Sequence, residues 1–345
     1  MTANFDLQRS AVPPTGPQPA LQRRQLLRMG LLLGMAGLAG CARTATPTLM
    51  AAPETLPLLW RRRLVKPWHF SPLESSQQLE DSVPGDADLL ALPDGWVSSL
   101  RADGLQPLKA PELRRRLSPE ADRFLQGFAS ELSEALLPVS VSPWVMVFRG
   151  QDLVGRAQAR GWEALLDPAL AGQLVLPASP RVLISLADRM ERPDALRSLR
   201  IAARVFDDRQ AMNWLLQGKA RVAVLPLVRC VAALRSDPRV QVVLPSQGAP
   251  LHWTLLMRTS QSLEPLPQEW VEEAWRAPLL GQLLAEGWRP PLPHDRLELA
   301  QRSLPARLRP LVLPPPLIWE RCWSFSPLSG PERDRLSERW SASAP

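Results

Sequence analysis

Residues 174–185 read LVLPASPRVLIS, and this stretch contains the end of one element and the start of the next. The apolar run Leu174–Leu176 is typical of a short buried strand, which Pro177 ends. Ser179 followed by Pro180 is a helix-start pattern, with serine at the N-cap and proline as the first helical residue. The stretch therefore predicts a strand that delivers a helix N-terminus to the carboxyl edge of a sheet, where α/β proteins bind ligands.

Short runs with strand character continue on both sides of this stretch. They are ADLLAL (87–92), PVSVSPWVMVF (138–148), RVAVL (221–225) and VQVVL (240–244). Between them, apolar residues at helical spacing predict one long helix over 119–136, capped by Ser118. Asp208 is the predicted cap of a second helix that ends at Gly218, and a third passes through Cys230. Repeated strand–helix units indicate an α/β fold with a largely parallel sheet.

The N-terminal 40 residues have the pattern of an export signal. Arg23 and Arg24 precede the uncharged run MGLLLGMAGLAG (29–40), which is too short to span a bilayer. The arginine pair is similar to a twin-arginine signal, but Sec signals also carry basic residues, and a chance apolar N-terminus is a further alternative.

The signal ends in LAGC (38–41), which resembles the lipobox of bacterial lipoproteins. In that motif Cys41 carries the lipid and becomes the mature N-terminus. The resemblance implies a signal peptide over 1–40 and a tether over 41–55. It also implies a periplasmic protein that is anchored to the membrane through its lipid.

The charge and the cysteine content exclude several classes of protein. The formal net charge of +7 falls to +4 without residues 1–40, and the arginines are scattered, so no nucleic-acid surface is indicated. Besides Cys41, only Cys230 and Cys322 are present; they could pair, but they cannot build a disulfide framework. The three histidines are far apart, and the sequence has no phosphate loop or nucleophile elbow. We therefore expect no metal, no cofactor and no enzymatic activity.

Several segments, in order along the chain, resemble the spermidine/putrescine-binding branch of the periplasmic solute-binding proteins of ABC importers. They are GDADLLALP (85–93), DGLQPL (103–108), WEALLDPALAG (162–172), QG (217–218) before RVAVL, and VLP (243–245) followed by Gly248 and Trp253. The resemblance implies a type II periplasmic-binding-protein fold, with two α/β lobes and a ligand cleft between them. Lobe one would comprise 56–140 plus 255–345 and lobe two 141–254, with crossings near 137–148 and 249–258. It also implies a monomer that delivers a small-molecule ligand to an ABC permease.

The positions that this family uses for a polyamine carry different side chains here. Carboxylates that would pair with the ammonium groups align with Ser179, Val182 and Leu255, and an expected aromatic residue aligns with Pro226. Trp253 matches the family. Because an unpaired ammonium group in a closed cleft is costly, the family's geometry does not suit a polyamine in this chain.

The replacements favour a neutral or anionic solute. Ser179 at a helix N-terminus, with Arg181 and Arg229 nearby, provides N–H and guanidinium groups, which bind carboxylates and phosphates. Asp94 and Trp96, in the loop after a lobe-one strand, would face the same cleft. A simpler interpretation stays open, in which none of these residues binds a ligand. Ser179 would then be a helix cap, Arg181 a surface residue, Asp94 a turn residue and Trp96 a packed side chain.

The C-terminal part of the chain is rich in proline. LVLPPPLIWERC (311–322) predicts an extended strap over lobe one, and 333–340 a short final helix; Trp270 is expected in the core of lobe one. Two alternatives to a solute-binding protein remain. One is a lipoprotein whose cleft has decayed and whose surface serves a protein partner. The other is an envelope enzyme, which only the export signal supports.

Overall fold

A mixed ten-stranded β-sheet runs through the described part of the protein. The structure, a computed structural model, describes residues 46–52, 54–73, 86–301 and 304–345. The predicted signal peptide and the predicted lipidation site at Cys41 lie outside these residues. Among the described helices, none is long and apolar enough to cross a membrane.

The strands are short except for two. They are β1 (Thr48–Ala51), β2 (His69–Pro72), β3 (Leu89–Pro93), β4 (Leu105–Gln106), β5 (Leu136–Arg149), β6 (Leu174–Leu176), β7 (Ala203–Phe206), β8 (Val222–Pro226), β9 (Val240–Val243) and β10 (Leu251–Thr259). The order across the sheet is β2-β1-β3-β10-β5-β8-β6-β7, while β4 pairs with β10 and β9 pairs with β5.

The sheet is parallel only in its outer parts. β1 is parallel to β2 and β3, and β6 is parallel to β7 and β8. β5 and β10 run antiparallel to all their neighbours in the described residues. The expectation of a largely parallel sheet is therefore wrong at the centre, because the two long central strands run opposite to the strands beside them.

β5 and β10 connect the two lobes. Residues 136–143 of β5 pair with β10, and residues 144–148 pair with β8. We call the side with β1 to β4 and β10 lobe one, and the side with β6 to β9 lobe two. The two strands lie where the resemblance placed the crossings.

Most helices of the described residues are short. They are α1 (Leu58–Arg61), α2 (Pro111–Arg114), α3 (Pro119–Gln126), α4 (Ser130–Ala135), α5 (Val154–Arg160), α6 (Pro180–Ala187), α7 (Ala195–Ala202), α8 (Ala211–Leu216), α9 (Leu227–Ser236), α10 (Gln268–Ala274), α11 (Leu279–Ala285), α12 (His294–Glu298), α13 (Arg309–Val312), α14 (Pro316–Trp319) and α15 (Gly330–Ala342). A 3-10 helix over Asp94–Ser99 follows β3.

The single long helix expected over 119–136 is two helices, α3 and α4. Ser118 caps α3 as expected, since its hydroxyl accepts a hydrogen bond from the amide of Ala121 at 3.4 Å. The helix ends at Gly127, which lies against Ser326: a Cβ atom at Gly127 would be 2.9 Å from Ser326 Oγ. A contact with a distant part of the chain therefore coincides with the break.

The helix expected to be capped by Asp208 is α8, and its N-cap is Gln210, two residues later. Oδ1 of Asp207 accepts hydrogen bonds from the amides of Arg209 and Gln210, both at 3.0 Å. Asp207 therefore orders the turn before α8. The backbone carbonyl of Asp208 instead accepts a hydrogen bond from Arg229 of α9, at 2.8 Å.

Part of the predicted tether over 41–55 is a strand of lobe one. β1 lies between β2 and β3, and its residues Leu49 and Ala51 are fully buried. The carbonyl of Pro47 accepts a hydrogen bond from the amide of His69 at 2.9 Å. The tether prediction is therefore wrong from Thr48 onward, because β2 and β3 bury a segment that looks like a linker by composition.

Two main apolar cores lie in the described residues, and β5 contributes to both. Val145 and Val147 belong to the larger core, which fills lobe one and extends to α9 of lobe two. Met146 and Phe148 belong to the second core, which lies within lobe two. Alternate side chains of a strand point to opposite faces, so one strand serves both cores. The larger core is thus continuous across the lobe boundary.

The last helix packs on lobe two, although the resemblance assigned 255–345 to lobe one. Leu336 and Trp340 of α15 contact the second core. The guanidinium of Arg339 pairs with Asp188, which follows α6. The chain therefore returns to lobe two after α14, and the assignment to lobe one is wrong for the final segment.

Cys230 and Cys322 are both free thiols. Burial raises the pKa of Cys230 to about 12 and the pKa of Cys322 to about 11. Neither thiol is a reactive thiolate near neutral pH, because burial disfavours the charged form.

Candidate ligand-binding cleft

The carboxyl end of β3 places Asp94 at the boundary between the lobes. β3 ends at Pro93, opposite Thr254 of β10, and Asp94 begins the 3-10 helix that follows. Oδ1 of Asp94 accepts a hydrogen bond from the amide of Trp253 at 3.2 Å, and the side chain is 11% exposed. Burial raises the pKa of Asp94 to about 7, and the Trp253 amide opposes this shift. The neutral form of Asp94 is therefore favoured to a higher pH than for an exposed carboxyl group.

His252 of β10 lies beside Asp94. Its Nδ1 is 3.7 Å from Asp94 Oδ1, and its ring packs edge-on against Trp144 of β5 at a centroid distance of 6.3 Å. Burial lowers the pKa of His252 to about 4, and the charge of Arg229 adds to the effect. The imidazole is therefore neutral at pH 7.

Arg181 reaches the cleft from the first turn of α6 in lobe two. Its guanidinium donates a hydrogen bond to the backbone carbonyl of Ser326 and lies 4.8 Å from the centre of the Phe325 ring. Burial lowers the pKa of Arg181, whereas the charges of Asp94 and Glu332 raise it. Asp94 of lobe one and Arg181 of lobe two are thus close enough to interact electrostatically.

Arg229 reaches the cleft from the first turn of α9. Nη1 donates to the carbonyl of Asp208 at 2.8 Å, and Nη2 lies 3.2 Å from Oε2 of Glu54. Glu54 follows β1 of lobe one, so this ion pair joins the two lobes. The Glu54 side chain is 80% exposed, and such a pair contributes little to stability.

Both helices that carry these arginines begin at the same edge of the sheet. α6 follows β6 and α9 follows β8, and these two strands are parallel neighbours. Neither helix has an acidic residue in its first turn. The amino end of a helix carries partial positive charge, and an arginine there adds to it. The lobe-two side of the cleft therefore has a positive potential.

Ser179 stands at the N-cap of α6 as the sequence predicted, but its hydroxyl makes no capping hydrogen bond. Pro226 at the end of β8 is buried opposite Trp144. Trp96 is half-buried and packs against the larger core. These three residues line or support the cleft region without a polar contact that would identify a ligand group.

Trp253 lies inside the protein rather than on the cleft surface. Its side chain is fully buried and stacks on Phe124, with centroids 4.7 Å apart and planes 12° apart. Its Nε1 donates a hydrogen bond to Ser324 Oγ at 2.9 Å. The prediction that the ring of Trp253 contacts a ligand is therefore wrong. Trp253 contributes its backbone amide instead, which donates a hydrogen bond to Asp94.

The two apolar positions aligned with polyamine carboxylates are core positions. Val182 is 6% exposed within the second core, and Leu255 is fully buried in the larger core. Substituting a carboxylate at either position would bury a charge without a partner. The described residues also contain no group of three or more His, Cys, Asp and Glu side chains that could hold a metal ion.

Sequence reasoning missed three parts of this site. His252 is far from the other two histidines in sequence, so nothing marks it as a site residue. Its neighbour Trp253 does match the family, and the side chains of the two residues point to opposite faces of β10. Trp144 was seen only as part of a β-rich run. Phe325 and Ser326 had no local signal, because a contact over a sequence separation of 145 residues leaves no periodic pattern.

The comparisons with known proteins give similarity at the level of the fold. No family model and no curated protein matches the sequence. The spermidine/putrescine ABC transporter substrate-binding protein PotD from Streptococcus pneumoniae superposes with a TM-score of 0.67 at 9% identity, covering 86% of this chain and 98% of that chain. This chain has the two-lobe fold of the periplasmic substrate-binding proteins.

Two further structures place the fold in the same group. The Tp0655 (TpPotD) lipoprotein of Treponema pallidum has a TM-score of 0.63 at 11% identity, with 86% of this chain and 99% of that chain covered. Iron-bound HitA from Pseudomonas aeruginosa has a TM-score of 0.55 at 13% identity, with 78% and 95% covered. At these identities, the three structures share their fold with this chain.

Proposed function

We propose that this protein captures a small solute outside the cytoplasm and delivers it to the permease of an ABC importer. The observation that carries the proposal is the shared fold, with two lobes joined by β5 and β10 and with Asp94, Arg181 and Arg229 near the boundary between them. In such a fold, solute binding shifts an equilibrium between open and closed lobes, and the permease recognises the closed form. The protein would act as a monomer.

The proposed location is the periplasmic side of a bacterial membrane, with the lipid on Cys41 as the anchor. The LAGC motif at 38–41 supports this location. Incorporation of labelled fatty acid into the wild-type protein, and its loss in Cys41→Ser, is the expected result. Equal labelling of both proteins would overturn the anchor.

The proposed solute is a small anion, a carboxylate or a phosphate. Arg181 and Arg229 lie in the first turns of α6 and α9, two helices of lobe two without an acidic residue in that turn. Burial raises the pKa of Asp94, the carboxyl group opposite them, to about 7, which disfavours its negative charge. Arginine binds carboxylates and phosphates through two parallel hydrogen bonds, and a helix amino end adds free N–H donors. A polyamine would meet like charge from Arg181 and Arg229.

Thermal unfolding with a panel of solutes tests the choice. Phosphate, small carboxylates, amino acids, putrescine and spermidine are added to protein purified from membranes in mild detergent. A solute at 100 times its Kd adds about 2.7 kcal/mol to the folded state, which gives a measurable rise in Tm. We expect anions to raise the Tm of the wild-type protein but not that of Arg181→Gln. Arg192→Gln is the control and should keep the rise, since Arg192 is a surface arginine paired with Asp194. A rise with polyamines alone would overturn the proposed substrate.

One observation favours a second function, a lipoprotein whose cleft no longer binds a solute and whose surface serves a protein partner. Arg181 and Arg229 both have partners within the chain, namely Phe325 with Ser326, and Asp208 with Glu54. A decayed cleft filled by its own chain would look the same. If no solute of the panel raises the Tm, this second function is favoured. A rise in Tm with an anion that is lost in Arg181→Gln would exclude it.

A further inference from the structure

A short extended segment, Trp323–Ser326, passes between the lobes beside β10, and we call it the third crossing. The amide of Trp323 donates to the carbonyl of Ala249 at 3.0 Å, and the carbonyl of Trp323 accepts from the amide of Leu251 at 2.7 Å. The segment thus runs parallel to the start of β10. It connects α14, on the lobe-one side, to α15 on lobe two.

The side chains of the third crossing face the two lobes in alternation, as in a strand. Trp323 and Phe325 face lobe two, where the guanidiniums of Arg189 and Arg181 lie 4.1 and 4.8 Å from their ring centres.

Ser324 and Ser326 face lobe one. Ser324 Oγ accepts from Trp253 Nε1 at 2.9 Å, and Ser326 Oγ lies against Gly127. The segment therefore contacts both walls of the cleft.

Arg181 has only neutral partners in direct contact among the described residues. Its hydrogen bond goes to the carbonyl of Ser326, its face covers Phe325, and no described carboxylate lies within ion-pair distance of it. Hydrogen bonds between a guanidinium and an anion are about twice as strong as those between neutral groups. An anion that enters the cleft can therefore replace the contacts that hold Arg181.

Helix α6 is attached to the C-terminal segment at both ends. Arg181 in its first turn contacts Phe325 and Ser326, and Asp188 after its last turn pairs with Arg339. Movement of Arg181 away from Phe325 would free the amino end of α6 from the third crossing while the other end stays fixed. The contact at Arg181 is thus the point where the third crossing and the cleft interact.

We propose that the third crossing is a built-in competitor for Arg181: Phe325 and the Ser326 carbonyl hold the guanidinium, and an anionic solute has to take it from them. This inference rests on the proposed function for the anion, but the restraint itself exists without a solute. Phe325 is a positioning residue in this scheme, since it acts through Arg181. Removing its ring exposes Arg181 and strengthens anion binding.

The restraint is tested first without any solute, by labelling the full-length protein with phenylglyoxal and measuring each arginine by mass spectrometry. Phe325→Leu keeps an apolar side chain but removes the ring, and Phe325→Tyr keeps the ring. We expect Arg181 to react several-fold faster in Phe325→Leu and at the wild-type rate in Phe325→Tyr. The matched control is Trp340→Leu, whose ring lies 4.0 Å from Arg200 on lobe two. It should expose Arg200 and leave Arg181 protected. An unchanged Arg181 rate in Phe325→Leu overturns the proposal.

Competition is tested second, by calorimetric titration with inorganic phosphate. We expect Phe325→Leu to bind phosphate about two- to fivefold more tightly than wild type, which is the factor expected for one cation–π contact. Weaker or unchanged binding in Phe325→Leu, with Arg181 exposed in the labelling, overturns the competition. If neither protein binds phosphate, both the competition and phosphate as the solute are overturned. The labelling result then still decides whether the third crossing restrains Arg181.

Discussion

The indole rings of Trp60 and Trp270 are stacked, and each donates a hydrogen bond to the backbone carbonyl of the other residue. The ring centroids are 4.1 Å apart with planes 11° apart, and the two N–O distances are 2.9 and 3.0 Å. Both side chains are fully buried, and Trp288 packs against Trp60 at 4.7 Å. The pair ties α1 to α10 across 210 residues of sequence. It confirms the expectation that Trp270 lies in the core.

Trp60→Phe should lower the free energy of unfolding by about 3 kcal/mol, because it leaves the Trp270 carbonyl without its donor and opens a cavity. Trp96→Phe is the matched control, since Trp96 is only half-buried. Urea unfolding of both variants measures the difference. An equal loss in the two variants would contradict the role given to the reciprocal pair.

Asp94 and His252 should make opposite contributions to the pH dependence of stability. The folded-state pKa of Asp94 is about 7, so its contribution is present below about pH 4 and is lost as the pH rises through 7. The folded-state pKa of His252 is about 4, below its ordinary value of 6.5. Its contribution therefore grows as the pH rises from 4 to 6.5. Over that range the stability lost through Asp94 and the stability gained through His252 cancel.

Single substitutions should remove this cancellation. Relative to wild type, His252→Gln should lose about 3 kcal/mol of stability between pH 4 and pH 6.5, because the growing histidine contribution is absent. Asp94→Asn should gain about 4 kcal/mol relative to wild type between pH 4 and pH 7. Urea unfolding at closely spaced pH values checks both. Parallel curves for all three proteins would show that neither group is perturbed by burial.

Arg229→Met should raise the pKa of His252, because the charge of Arg229 lowers it in the native protein. The pKa should stay below 6.5, since burial is the larger cause and remains. NMR titration of the imidazole signals measures it. Arg235→Met, one to two turns further along α9, is the control and should leave the His252 titration in place. A wild-type titration curve in Arg229→Met would contradict the effect of the Arg229 charge on His252.

Gly248→Ala should lower the free energy of unfolding by several kcal/mol. Gly248 has φ +82°, and a Cβ atom there would overlap with the backbone of Arg321 just before the third crossing. Gly172→Ala is the matched control: its φ of +64° is similar, but nothing lies within 4 Å of its Cβ position. The control should lose about 1 kcal/mol, the cost of a left-handed residue. Equal losses in thermal unfolding would rule out the overlap as the cause.

The sequence predicted the parts of the fold that depend on local patterns. LVLPASPRVLIS gave the bounds of β6 and the start of α6, and the apolar run 138–148 fell within β5. The sequence could not identify β1, because its four residues have no clear strand pattern of their own. They form a strand only because β2 and β3 pair with them on both sides. The break between α3 and α4 has the same explanation, since Ser326 approaches Gly127 from a distant part of the chain.

The candidate site was also predicted only in part, because some of its residues have a local sequence pattern and others do not. Helix starts and a strand end predicted Arg181, Arg229 and Asp94 as site residues, and in the structure Arg181 and Asp94 interact electrostatically across the lobe boundary. Burial raises the pKa of Asp94 and lowers that of His252, and the lobe-two charges of Arg181 and Arg229 act on these two groups as well. No sequence window contains that information, because the walls of the cleft are built from separate segments.

The attachment of α15 to lobe two also means that this side of lobe two is complete only when the end of the chain has docked. The contacts that complete this side of lobe two join residues far apart in sequence: Arg181 with Ser326 at 145 residues, Arg200 with Ser343 at 143, and Asp188 with Arg339 at 151. Closing loops of that length is slow, and contacts with such separations form late. A chain in which α15 has not yet docked exposes apolar side chains of the second core that Leu336 and Trp340 otherwise cover. This surface is where a folding intermediate would aggregate.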